Sequence, residues 1–309
     1  MKMKAAVANL ALIGMMPAAI MLLLGCATPA PVDPVDSELE RKASAARNAF
    51  ERGDISRSAD LYIEALMRSR EIGKAEYIAT HAYNVALCHV LLGGYDRALE
   101  FLRQARYEMD RAGMNTASAH LVEAEAHLAM GSAEAAGNAA EAALEEALLP
   151  EYRAQAHLLL AVLHLNEGDA GEARSEYRRA RRYSPQSPLP VQARVEEMLA
   201  RIAMADGNYQ EAAVAYDRVA ELFKAGGLYA DMAMSWAKAG ESYEAMNEDA
   251  AAGYRYFLAA RSMYGMGETV ESLKLVKRAI ENAERAQDYT VAEQSALLFK
   301  EISNSVKNP

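Results

Sequence analysis

Cysteine is almost missing from this chain: its 309 residues hold two, Cys26 and Cys88, and no Cys-x-x-Cys, which removes the thiolate motif of a zinc or redox centre. Aromatic residues are scarce as well, at 7%, while hydrophobic residues as a class reach 52%, so the interior has to be built largely of Ala and Leu. That composition suits closely packed helices and not a β-sheet core, which draws on aromatic and β-branched residues. Catalytic signatures are absent: there is no G-x-S-x-G, no phosphate-binding loop, no His-Glu-x-x-His and no pair of histidines four apart. The sequence therefore reads as a non-enzyme without a cofactor. With 33 basic against 43 acidic side chains, a net charge of -10 argues against general nucleic-acid binding.

What the chain does have is an internal repeat. His157 to Pro185, HLLLAVLHLNEGDAGEARSEYRRARRYSP, holds two apolar-periodic segments broken at Gly168-Asp169, with Ala173, Tyr177 and Ala180 at spacings of four and three and Pro185 at the end. Turn positions recur at Gly53, Gly93, Gly131, Gly168, Gly207, Asn247 and Gln287, which subtraction places 40, 38, 37, 39, 40 and 40 residues apart. Five residues after each stand Ser58, Ala98, Ala136, Ala173, Ala212, Ala252 and Ala292. Gly and Asn reach the left-handed conformation that ends a helix, and a small residue lets two helices approach to about 8 to 10 Å. The register predicts helix pairs over Ser37–Gly73, Lys74–Gly113 and Met114–Leu149, a fourth pair around His157 to Pro185, then Pro188–Gly226, a sixth from Gly227, and a seventh ending in a polar capping helix.

This pattern, clearest from His157 to Pro185, resembles the tetratricopeptide repeat, and in the sixth repeat Trp236, Gly240 and Tyr243 follow W-x2-[L/A]-G-x2-Y with Ala239 in the Leu place. The resemblance implies an all-α, right-handed superhelical solenoid of about seven helix pairs, forming one continuous array over residues 37–309. The repeat is longer than the family's usual 34 residues, which predicts helices longer by about a turn or longer joints. Gly137 lies inside the second helix of the almost featureless third repeat, where Gly costs about 1 kcal/mol relative to Ala.

Residues 1–25 carry Lys2 and Lys4, an apolar run to Leu24, and then Gly25-Cys26, the layout of a signal peptide. Leu23-Leu24-Gly25-Cys26 resembles a bacterial lipobox, which implies that Cys26 becomes the lipidated first residue of the mature chain. The alternative is a transmembrane anchor over Ala5 to Leu24, although Asn9, Gly14 and Pro17 interrupt it. Residues 26–36 then form a tether with Pro29, Pro31 and Pro34, whose ten residues from Ala27 would extend about 31 Å. Ala27 in the place after the Cys implies, by the same resemblance, an outer-membrane lipoprotein facing the periplasm.

The histidines gather in the first helices of repeats 2 to 4: His81, His89, His120, His127, His157 and His164. One reading makes them a metal or pH sensor. The other packs them between helices in place of aromatics, and it is favoured because His120 and His127, like His157 and His164, stand seven residues apart, about 10.5 Å along a helix axis, against about 2.1 Å for a zinc–ligand bond. Cys88 reads as a buried small hydrophobe. Arg174, Arg178, Arg179, Arg181 and Arg182 form a basic island at a helix C-terminus, suited to the helix dipole as a solvated face or to an anionic lipid or acidic partner.

A protein or peptide partner is what the resemblance implies, bound on the concave face that the first helices line, as in repeat lipoproteins of pilus, secretion, outer-membrane or cell-wall machinery. Carried over, the family's inward positions fall on Tyr83, Leu87, Val90 and Leu91 in repeat 2, Leu121 and Leu128 in repeat 3, and Leu158, Val162 and Leu165 in repeat 4. In repeats 5 to 7 they turn charged: Arg194, Glu197, Arg201, Glu241, Glu244, Lys277 and Glu281. The apolar set is either an exposed groove or packing buried between long helices. The family's clamp for a C-terminal carboxylate is missing, since Tyr83, Leu87, Ser118 and Val122 occupy its places.

Overall fold

A computed structural model describes residues 36–307, and these form fourteen α-helices and one 3-10 turn, with no strand among the described residues. The signal peptide, Cys26 and the Pro-rich tether lie outside the described residues. The chain divides after Leu148 into two compact units, where the repeat register had pointed to one array. The first holds α1 (Ser37–Glu51), α2 (Ile55–Ile72), α3 (Ala75–Leu91), α4 (Tyr95–Ala112), α5 (Ala117–Ala129) and α6 (Ala133–Glu146). The second holds α7 (Pro150–Asn166), α8 (Ala170–Tyr183), the 3-10 turn Ser184–Gln186, α9 (Leu189–Ala205), α10 (Tyr209–Ala225), α11 (Tyr229–Ala245), α12 (Asp249–Gly265), α13 (Thr269–Arg285) and α14 (Tyr289–Lys307).

All seven turn positions read from the sequence are left-handed, including the two that are not glycine, Asn247 at φ 60° and Gln287 at φ 56°. Each is followed by the bond that closes a helix C-terminus: the next amide reaches back five residues, as Gly94 N–H does to His89 O at 2.8 Å and Asp288 N–H to Ala283 O at 2.9 Å. Gly113, Gly227 and Gly267 repeat the device between pairs, and Gly73 is left-handed there too, with its own N–H on Ser69 O at 2.9 Å. Two joints lack it. After α6 the chain runs extended at Ala147 and Leu149 into Pro150, and after α8 it passes through the 3-10 turn at Pro185. The divide falls at the first of these, after a helix, α6, that buries only alanines.

The small-residue column lies in the helix contacts: Ser58, Ala98, Ala136, Ala173, Ala212 and Ala252 are buried, and Ala292 is half-buried. Ser58 keeps its hydroxyl satisfied by donating to Ala46 O at 3.0 Å. Two glycines mark still closer approaches in the second unit. A Cβ on Gly240 would stand 2.9 Å from the Tyr256 ring, and one on Gly253 would stand 3.0 Å from the backbone N of Ala283. The first unit's core gathers Tyr62, Leu66, Val85, Leu102 and Val122, and the second's gathers Phe223, Trp236, Tyr256, Phe257 and Ile302. The helices of the second, fifth, sixth and seventh pairs run 17 to 19 residues, which accounts for the long period, while α5 and α6, at 13 and 14, sit where the spacing is short.

Candidate partner-binding face

In the second unit the first helices of successive pairs lie side by side. Arg194 of α9 donates to Asp231 of α11 at 2.8 Å, and Arg278 of α13 to Glu241 of α11 at 3.3 Å, so α9, α11 and α13 run parallel along one face. Arg194 is spent on structure: it also pairs with Glu197 at 2.8 Å and lies over the Phe223 ring at 4.8 Å. Burial pushes the Asp231 carboxyl up, and Arg194 opposes that shift. Glu244 is likewise committed, to Arg278 and Asn282.

Other charges on these helices are less committed. Arg201 is half-buried and Glu281 exposed, both without an ion pair among the described residues. Lys238 lies over the Tyr216 ring at 5.7 Å and Lys277 over the Phe299 ring at 5.8 Å, and Glu241 is exposed while it accepts from Arg278. Burial raises the pKa of the Tyr216 phenol, with Glu197 adding to the shift, so it stays protonated and able to donate. Lys238 and Tyr216 were not among the residues picked out from the sequence. A lone cation between Trp236 and Gly240 was the only signal for Lys238, and Tyr216 comes from the second helix of its pair.

Of the nine apolar positions expected to line a groove, the structure buries Leu87, Val90, Leu91, Leu121 and Leu158. Leu87, Val90 and Leu91 are core because α3 is apolar nearly all round and is packed on more than one side, and Leu121 on α5 and Leu158 on α7 are enclosed in the same way as the other buried residues of their helices. Tyr83, Leu128, Val162 and Leu165 are half-buried. Val162 and Leu165 lie on α7, which packs beside α9, so they border the charged helices within one unit.

The histidines are distributed among separate packing sites. His81 donates from Nδ1 to Tyr77 O at 2.7 Å, since a carbonyl can only accept, and burial lowers its pKa. His89 stacks on Phe101 with ring centroids 5.8 Å apart. His120 lies between Arg106 and Glu123, and His157 meets Glu176 at 2.7 Å while stacking on Tyr183. His164 stands 3.7 Å from Glu167, and His127 is half-buried. Among the described residues no group of three or more His, Cys, Asp or Glu is placed to hold a metal ion. No helix among them is long and apolar enough to cross a membrane.

No family model matches the chain, and no curated protein matches it. Solved structures do. The apo form of RapI aligns at a TM-score of 0.62 with 12% identity, covering 87% of this chain and 77% of that one. The tetratricopeptide repeat protein is the recurring theme: a signal-transduction ATPase with a tetratricopeptide repeat sensor from Pyrococcus horikoshii aligns at 0.56, with 14% identity over 85% of this chain and 45% of that one. The C-terminal part of a tetratricopeptide repeat-containing protein from Cytophaga hutchinsonii aligns at 0.50, with 13% identity over 83% and 93%. The fold is a tetratricopeptide-type α-solenoid. At these identities the likeness extends to the fold alone, and the tetratricopeptide-type pairs place their first helices along the face just described.

Proposed function

We propose that this tetratricopeptide-type chain is a lipid-anchored scaffold of the cell envelope that binds a protein or peptide partner, with no catalytic role of its own. The observation that carries the reading is the face of the second unit. Val162 and Leu165 offer half-buried apolar surface on α7, and the other first helices add Arg201 and Glu281, which have no ion pair among the described residues, and Lys238 and Lys277, which lie over the Tyr216 and Phe299 rings. Such a surface accepts a segment with apolar anchors and charges of both signs. The anchoring rests on Leu23-Leu24-Gly25-Cys26 after a charged, apolar leader, and on Ala27 for the outer membrane; a single acyl chain anchors marginally and several anchor stably.

Two measurements test the two halves separately. Cys26→Ser should leave an unprocessed precursor that takes up no lipid label, and unchanged labelling overturns the anchor. Val162→Glu combined with Leu165→Glu should abolish co-purification of the partner from detergent-solubilised envelope while helicity and Tm stay near wild type. Unaltered co-purification overturns the binding face.

A further inference from the structure

We propose that the edge of the second unit where second helices end and first helices begin docks onto an anionic lipid surface. The inference rests on the reading that the chain is held at a membrane, and it assigns which edge faces that membrane. Two observations coincide at this edge.

The first is apolar exposure in register. Leu149, Leu189, Tyr229 and Val270 stand at the starts of α7, α9, α11 and α13, at intervals of 40, 40 and 41 residues by subtraction. Leu189 is 39% exposed, Tyr229 56% and Val270 70%, although each is large enough to be core elsewhere. Because α9, α11 and α13 are tied side by side through Arg194–Asp231 and Arg278–Glu241, and α7 packs on α9, these four residues follow one border of the unit.

The second is charge. Arg178, Arg181 and Arg182 occupy the last turns of α8, immediately before the joint that leads to Leu189, and all three are exposed with no ion pair among the described residues. By contrast Arg174 is taken by Asp206 and Arg179 by Glu176. The opposite edge, at the turns inside each pair, carries Glu167, Asp169, Glu248 and Asp288, together with Asp206 and Asp249, which pair with Arg174 and Arg285. The helix dipole favours cations at the end of α8 and anions at the starts of second helices, and that alone would account for the charges. It does not account for Leu149, Leu189, Tyr229 and Val270 standing exposed at the start of every first helix of the unit, where the opposite edge exposes Tyr209 and Tyr289 at two of its four helix starts. Together the cations and the apolar row make, around Leu189, a stretch of border that anionic headgroups attract and into which apolar side chains can insert, while Glu268 and Glu271 beside Val270 leave that end less attractive and the acidic edge is repelled.

The experiment places a photo-crosslinking residue at Leu189 or, on the opposite edge, at Glu248 in the full chain. Each form is reconstituted into vesicles of phosphatidylcholine with or without phosphatidylglycerol. Lipid adducts are expected at 189 and not at 248, only with phosphatidylglycerol present. Their yield should fall about tenfold in Arg181→Glu/Arg182→Glu and fall similarly at high salt. Equal adduct yields at the two positions, or a yield at 189 indifferent to the charge reversal, overturns the docking even if flotation shows the chain attached to the vesicles. Failure of the wild-type chain to float with any vesicle overturns both this proposal and the anchored reading. Crosslinking in whole envelope that yields a protein adduct at 189 and no lipid adduct assigns the edge to an acidic protein, and overturns the lipid assignment.

Discussion

Asn282, wholly buried on α13, donates from Nδ2 to Glu244 Oε1 on α11 at 3.0 Å. Tyr256 OH donates to the same carboxylate at 3.0 Å, Arg285 at 3.1 Å, and Arg278 closes the set from over the Tyr256 ring. The sixth and seventh repeats are thereby joined through one side chain. Burial pushes the Glu244 carboxyl up, but the hydrogen bonds from Arg278, Asn282 and Tyr256 outweigh it and hold the pKa down to about 2. Glu244→Ala strands those donors and should cost about 2 kcal/mol in urea unfolding of the full chain. For a depressed carboxyl, the stabilisation is complete above the unfolded value of about 4.3 and is lost as pH falls towards 2. The gap between wild type and Glu244→Gln should therefore close over that window. A gap independent of pH removes the charge from the explanation.

His81 should make the fold acid-sensitive at milder pH. Burial holds its folded pKa below the ordinary value of about 6.5, so the unfolded chain takes up the proton first. The sign is opposite to that of a histidine gaining an anionic partner: stability is intact above about 6.5 and declines as pH falls below it. Urea midpoints measured from pH 7.5 to 5 should fall less steeply in His81→Leu than in wild type. Parallel slopes would remove His81 as the group responsible.

Gln287 is a glutamine at φ 56°, a conformation that the other turns assign to Gly or Asn. Left-handed backbone costs an L-residue about 1 to 2 kcal/mol, and the Gln287 side chain is exposed. Gln287→Gly should raise the unfolding free energy by about 1 kcal/mol, read as a higher urea midpoint at unchanged m. A lower midpoint would mean that the side chain stabilises the turn.

The same column shows what sequence can reveal. Left-handed turns restrict the choice of residue, so Gly53, Gly93, Gly131, Gly168, Gly207 and Asn247 mark the helix pairs in plain text, and register carries Gln287 with them. Burial on the first helices was not readable in this way. In AEYIATHAYNVALCHVL apolar residues fall on every side, so no face stands out, and Leu87, Val90 and Leu91 could equally have lined a groove. The divide after Leu148 also left little trace, because an alanine-rich helix looks regular whatever follows it. The uncommitted charges of the candidate face depend on which partners the fold supplies, and only three-dimensional pairing separates Arg194, which is bound, from Arg201.

Cys88 is fully buried beside Ser58, and burial pushes its thiol up to about 11, with the Ser58 contact pulling slightly the other way. A thiol held neutral and out of solvent reacts with neither disulfide reagents nor alkylating agents. In Cys26→Ser, the native chain should take up no label at pH 8 and one equivalent once urea passes the unfolding midpoint. Rapid labelling of the native form would mean that the first unit opens around α3.

Leu121 and Leu158 decide whether the apolar first-helix residues are core or surface. Leu121 is wholly enclosed in the first unit and Leu158 is buried in the second, and an ionised carboxylate at either place would have no water and no cation arranged for it. Leu121→Glu and Leu158→Glu should each cost about 3 kcal/mol or more, lowering Tm and reducing helicity. Val162→Glu and Leu165→Glu begin from half-buried positions that leave the new charge a route to solvent, so they should cost about 1 kcal/mol or less. The contrast is the informative quantity, because a general intolerance of charge in Ala-rich helices would depress all four alike. Wild-type Tm in Leu121→Glu and Leu158→Glu, together with loss of a partner, would return these leucines to an open groove. A large drop in the first two with little change in Val162→Glu and Leu165→Glu confines the accessible apolar surface of α7 to its last turns.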